Sequence, residues 1–441
     1  MVDGPRLKRI LALGLPIIGG MVSQNVLNLV DTAMVGTLGN AALAAVGLGG
    51  FANFMFMALI LGISTGVQVM SARRKGQGQF DGMARPLNAG LLMVLVSAPL
   101  LSALLFFSIP VMYPLINADP EVIQQGVPYL QARTLAILFV GCNFAFRGYW
   151  NAVDLSRYYM GTLILMHSTN IFLNWVLIFG HLGAPALGVT GAGIASAIST
   201  AVGLATYVYL GFRHARPHGF LCGLPPIADV KKMFTLSFPT GLQQLFFSTG
   251  FLVLFWIIGL VGTRELAAAS VLINVMLVAV LPGMGLGMAA STLVGQALGR
   301  GEPEDAAQWG WDVVKVAVVM LGALGIPFWM HPDPILGIFV HDPDTIDVAR
   351  LPARLVGMLM ALEAVGLVLM HALLGAGDAR RVMLVAVTTQ WLLFLPAAYL
   401  AGPVMGFGLT TIWLLQGSYR ALQTGMFIRF WRARQWAKIS V

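Results

Sequence analysis

Residues Leu13 to Gly36 read LGLPIIGGMVSQNVLNLVDTAMVG, and a single carboxylate, Asp31, sits in that otherwise uncharged apolar run. A run of this length and character is a transmembrane helix, since about 20 apolar residues cross the hydrocarbon layer. A carboxylate at membrane depth costs at least a few kcal/mol, so it persists where it faces a wet cavity or a bundle interior and has partners. Asp31 is therefore a candidate for ion or substrate handling. The plainer reading is a residue late in the span that snorkels to the outer interface. Pro16 deprives one carbonyl of its partner, which predicts a bend about four turns before Asp31. That bend is either a hinge or a fixed feature of helix shape.

The rest of the chain has the same character. Of its 441 residues 58% are hydrophobic and only 10% charged, against about a quarter charged in soluble globular proteins. The apolar runs are long rather than alternating, so the spans are helices and not barrel strands. The expected fold is all-α and integral to the membrane, with about twelve transmembrane helices and no soluble domain left over. The runs fall near 10–36, 44–70, 88–116, 126–149, 159–181, 187–212, 234–260, 267–296, 312–340, 352–374, 382–401 and 407–430.

A net charge of +8 would suggest nucleic acid in a soluble protein, but here its distribution reports topology. Lys and Arg gather on alternate loops, as at Arg73, Arg74 and Lys75, at Lys231 and Lys232, and at Arg429 to Lys438. The opposite loops hold only Arg264, Arg350 and Arg354. The positive-inside rule then places both termini in the cytoplasm of a multi-pass plasma (bacterial inner) membrane protein. No small-residue cleavage site follows the basic start, which reads as the first span rather than a signal peptide. Cys142 and Cys222 lie far apart and indicate neither a disulfide nor a metal site.

The two halves of the chain match at one offset of 223 residues. Pro16 falls on Pro239, Gly36 and Gly39 on Gly259 and Gly262, and Gly76 and Gly78 on Gly299 and Gly301. The longest polar break, Arg213 to Lys232, lies near the midpoint. The expected organisation is an N-lobe over 1–212 (helices 1–6), a cytoplasmic linker over 213–232 and a C-lobe over 233–441 (helices 7–12). The repeats share one orientation, so the lobes are related by a pseudo-twofold axis along the membrane normal, a common transporter plan. Asp31 falls on Leu254, so its charge is not something the fold needs in both halves.

Glu363 is the other acidic residue deep in a span, read either as a functional group or as a buried carboxyl that stays protonated. Asn170 and Asn174, at i and i+4, share a helix face and can offer neutral oxygens to a small cation beside Asp31. Alone they would serve as interhelical hydrogen-bond glue. The chain has no GxxxxGK[ST] phosphate loop and no HExxH. Neither ATP hydrolysis nor covalent chemistry is expected, so the chain is not read as an enzyme and needs no cofactor. Work must come from an ion gradient.

These residues resemble the multidrug and toxic compound extrusion (MATE) family over nearly the whole chain. The resemblance rests on P-x14-D ending in VDTAMVG (Pro16 to Gly36), on LNWVLIFG (Leu173 to Gly180), on the Gly76/Gly299 loop repeats and on two six-helix lobes, and it favours the NorM branch. It implies efflux of organic cations and other drugs by a monomer, in exchange for Na⁺ or H⁺, by rocking between inward-open and outward-open states. It also implies that Asp31 and Asn170 take the coupling ion, with Na⁺ held at Asp31, Asn170 and Asn174, and that Glu363 matches a tenth-helix acid. The seventh-helix glutamate that accompanies this acid is replaced by Ser248. Membrane lipid is the other expected partner, and nucleic acid is not one. The alternative is a lipid-linked precursor flippase of the same two-lobed fold, whose cavity tends to be lined with cations.

Overall fold

The computed structural model describes residues 2–339 and 342–441, the side chains of residues 278 and 279 excepted. The described residues are helical and contain no strand. In chain order the helices are α1 (Gly4–Gly36), α2 (Asn40–Gly76), α3 (Arg85–Ile116), α4 (Pro120–Leu135), α5 (Ile137–Ala152), α6 (Ser156–Phe179) and α7 (Gly188–Leu210). The second half gives α8 (Ile227–Val261), α9 (Thr263–Gly299), α10 (Pro303–Met330), α11 (Pro332–Phe339), α12 (Pro343–Gly375), α13 (Ala379–Thr388), α14 (Leu395–Tyr399) and α15 (Leu409–Ala433). Among the described residues ten helical segments are long and apolar enough to cross a membrane, and the bent pair α4–α5 makes an eleventh. The twelfth expected segment is α15, which Gln416, Ser418, Arg420 and Gln423 make more polar.

Leu100, Leu104, Phe107, Val111 and Leu115 of α3 are all more than half exposed. Their spacing puts them on one stripe of the helix. An uninterrupted apolar stripe left open along the second half of the helix is the surface expected of a lipid-facing span.

Two spans depart from regular α-helix for identifiable reasons. Between α4 and α5 the axis bends by 48°, where the Ser102 hydroxyl of α3 donates to the Thr134 carbonyl at 2.7 Å. A side chain that engages a ladder carbonyl is a recognised cause of a kink. The segment from α13 onward contains two π-helical stretches, Thr389–Phe394 and Leu400–Val404. These flank Pro396 and contain Pro403, residues without the N–H that the ladder needs.

The repeat is visible in the geometry. Helices α2 and α9 each have 37 residues. The glycines that follow them, Gly78 and Gly301, both adopt a left-handed conformation with φ of 71° and 77°. A side chain would strain that backbone, which explains why glycine stands at both positions.

The chain forms two compact units, Gly19–Gly241 and Met1–Ile18 with Leu242–Val441. The expected lobes divide the chain at residues 213–232; these units divide it inside α1 and α8 instead. In both repeats the change of unit comes two residues after the proline, at Ile18 after Pro16 and at Gly241 after Pro239. The 213–232 stretch is pinned onto the first unit rather than left as a free tether. Asn88 holds it at both its amide donor and its oxygen, through Gly219 O at 2.8 Å and Leu221 N at 3.0 Å. Phe220 is fully buried, its ring packed on Phe146 and Phe212.

Each unit has its own core. In Gly19–Gly241 it includes the stacked rings of Phe146, Trp150 and Tyr207. In the other unit α9, α10, α12 and α15 enclose a large aliphatic cluster closed by the Trp431–Trp436 stack. There the start of α1 is clasped by α10: Arg6 pairs with Asp305 and Asp312, each at 2.7 Å, and lies over the Trp309 ring.

Candidate ion and substrate site

Helix α1 can approach α6 closely because Gly19 and Gly20 present no side chain to it. A Cβ on Gly20 would stand 2.8 Å from the Tyr159 ring. Two polar contacts follow along this seam, two turns apart on both helices. In the first, His167 of α6 meets Ser23 Oγ through Nδ1 at 2.7 Å and Gln24 Oε1 through Nε2 at 3.1 Å. An amide oxygen only accepts, so Nε2 donates; in the neutral ring Nδ1 then accepts from the Ser23 hydroxyl.

In the second contact, the Asn174 amide of α6 donates to Asp31 Oδ1 at 2.6 Å. Asn174 also donates to Asn170 Oδ1 at 3.1 Å, and Asn170 reaches Ser196 and Ser199 of α7. Turned over, the Asn170 amide satisfies its surroundings better: its nitrogen donates to Asp31 Oδ1 at 3.1 Å and its oxygen accepts from Ser196 N. Asn170 is 1% and Asn174 0% exposed, while Asp31 is half-buried. The aspartate therefore faces protein and does not snorkel alone.

Arg133, in the last turn of α4, is close enough for its charge to act on Asp31. Its guanidinium is held by the Tyr129 hydroxyl at 3.0 Å.

One atom here lacks a partner: the buried Asn174 Oδ1 makes no hydrogen bond. A buried acceptor without a donor is costly. It is also a ready neutral ligand for a small cation or for the proton of a carboxylic acid. Primary amides suit both states of Asp31, since their nitrogen pairs with a carboxylate and their oxygen with an acid proton or a metal ion.

The other candidates belong to the second unit. Glu363 of α12 is neither free nor partnered by another acid. It is joined by both carboxylate oxygens to Arg420 of α15. The Ser248 hydroxyl donates to Gln244 O of its own helix at 2.8 Å. Pro16 lies within a continuous α1, immediately before the chain changes unit.

The sequence profile of the MatE family matches residues 16–176 and again residues 239–400. The chain belongs to the MATE family of transporters. The two matches begin at Pro16 and Pro239, the same offset that the internal repeat shows. A probable multidrug resistance protein NorM of Thermotoga maritima is 25% identical, covering 98% of this chain and 94% of its own. A second, from Pseudomonas aeruginosa, is 29% identical and covers 96% and 89%. These relatives make this MATE protein NorM-like. A solved structure described as the outward-facing conformation of a multidrug resistance MATE transporter superposes with a TM-score of 0.91 at 19% identity, covering 99% of this chain and 97% of that one. The fold is therefore the MATE fold, all-α and twelve-helical.

Sequence reasoning missed two site residues in this MATE transporter. His167 is one histidine in an apolar run, and nothing local marks it. Arg133 is visible as a charge inside a helix, but nothing local shows that its charge acts on Asp31.

Proposed function

We propose that this MATE transporter is a secondary antiporter that exports organic cations and related drugs in exchange for H⁺ or Na⁺. It would work as a monomer in the inner membrane with both termini in the cytoplasm. The observation that carries the proposal is Asp31 held against two fully buried asparagines, one with an unsatisfied oxygen. The names of its NorM relatives, multidrug resistance proteins, support the substrate class.

In this reading Asp31 supplies the charge, and Asn170 and Asn174 supply neutral oxygens once their amides turn. A coupling ion that neutralises Asp31 removes the charge that attracts a drug cation, and a bound drug removes the charge that attracts the ion. Each ligand weakens the other by the same factor, as linkage requires. Exchange of one such ion for one monovalent drug cation moves no net charge, so the ion's concentration gradient drives it, at about 1.4 kcal/mol per tenfold. Pro16 and Pro239 would let α1 and α8 flex where the chain passes between units.

The test is transport in vesicles with pH and Na⁺ gradients imposed separately. One of the two gradients drives efflux by the wild type, and Asp31→Asn reduces that efflux to the rate of protein-free vesicles. Unchanged gradient-driven efflux in Asp31→Asn would refute the proposal.

A further inference from the structure

We propose, building on the antiport reading above, that Arg420 is a built-in counter-ion that takes Glu363 out of ion coupling, so that each cycle exchanges one coupling ion, at Asp31. The Arg420 Nε donates to Glu363 Oε2 at 2.9 Å and an Nη donates to Oε1. This is the two-pronged arrangement in which guanidinium and carboxylate geometries match. The remaining Nη donates to Gln423 Oε1 at 2.6 Å, and Gln423 passes the chain on to Thr389 Oγ1 at 2.9 Å. Arg420 is thus fixed from α12, from its own helix and from the π-helical stretch after α13.

The pair points inward. On α15 the exposed residues are Leu414, Ser418, Ala421, Leu422, Gly425, Arg429, Arg432 and Ala433, and a 100° step per residue turns every one of them at least about 100° away from Arg420. On α12 the exposed Leu351, Arg354 and Met358 likewise lie opposite Glu363. The two side chains keep 17% and 20% of their surface accessible.

Three consequences follow from the chemistry. A guanidinium does not release its proton in a protein, so Arg420 cannot become neutral to make way for a cation. A second cation at Glu363 would have to displace Arg420 and leave that charge unpaired inside the bundle, the most unfavourable outcome for a buried pair. A proton would face the same competition, because both carboxylate oxygens are already engaged. Glu363 and Arg420 are then positioning residues that tie α12 to α15, and Asp31 is the one carboxylate of the two left for a mobile ion.

The test counts ions per drug in vesicles, from the gradient at which net drug flux vanishes, together with the Hill coefficient of ion dependence. The wild type is expected to move about one ion per drug with a Hill coefficient of about one. Arg420→Gln frees Glu363, and both values should rise toward about two. Arg420→Gln with Glu363→Gln should return them to about one. Glu363→Gln alone strands Arg420 and is expected to slow efflux while the ion-to-drug ratio holds. A ratio of two in the wild type, a ratio that falls in Glu363→Gln, or no second ion in folded Arg420→Gln would overturn the inference. Where Arg420→Gln is not recovered from the membrane, the Glu363→Gln ratio alone decides. Retained coupling in Asp31→Asn would instead refute the underlying antiport reading.

Discussion

A Cβ on Gly62 would stand 2.2 Å from the carbonyl oxygen of Ser237, and 2.6 Å from Gly241 N. Helix α2 thus holds the first part of α8 backbone to backbone, and neither side has a flexible atom that could yield. The repeat reproduces the contact: a Cβ on Gly285, 223 residues on, would stand 2.5 Å from Ile18 Cγ1. Gly62→Val is expected to destabilise the protein by about 1–3 kcal/mol, read as a lower unfolding temperature in detergent. Gly47→Ala, on the same helix with open space around it, is the control that should be neutral or slightly stabilising.

The change of unit just after Pro16 and Pro239 predicts a kinetic effect. Replacing either proline by alanine restores a ladder hydrogen bond and stiffens the helix at that point. The maximal efflux rate should fall in Pro16→Ala and in Pro239→Ala while drug affinity holds. Rate and KM measured side by side separate this from a binding defect, which would raise KM alone.

His167 supports the α1–α6 seam from one contact below Asp31. In His167→Phe the Ser23 hydroxyl and the Gln24 oxygen lose their partner, at a cost of about 1–3 kcal/mol. His167→Gln, which keeps a donor and an acceptor, should recover most of it. Thermal unfolding of the two variants against wild type makes the comparison.

The buried Asp312 receives Arg6 at 2.7 Å and Lys315 at 2.9 Å. Arg6→Gln removes the charged bond to Asp312 and the pair with Asp305. About 1.5–3 kcal/mol should be lost, with little change between low and high salt because Arg6 and Asp312 are mostly shielded from solvent. Unfolding temperatures at low and high salt provide the check.

The lengths and positions of the spans were legible because hydropathy depends on composition alone. All twelve expected runs overlap a helix, and the offset of 223 reappears in the equal lengths of α2 and α9. Asp31 and the Asn170/Asn174 face were legible too, since a lone charge and an i, i+4 pair are local signals. Contacts between distant segments were not. Arg420 lies 57 residues from Glu363, and no pattern in α15 names its partner. The swap of unit inside α1 and α8 depends on close glycine packing that only three dimensions reveal. The bend between α4 and α5 falls where one hydroxyl of α3 engages the ladder, which composition does not register.

The central claim is that a drug cation and a coupling ion compete for the charge of Asp31. Equilibrium binding of a fluorescent organic cation to purified protein, titrated against H⁺ and against Na⁺, tests it most directly. The account predicts that one of these ions raises the apparent Kd in proportion to its concentration, and that in Asp31→Asn the dependence disappears. Simultaneous binding of both, with the Kd unmoved by either ion in the wild type, would contradict it.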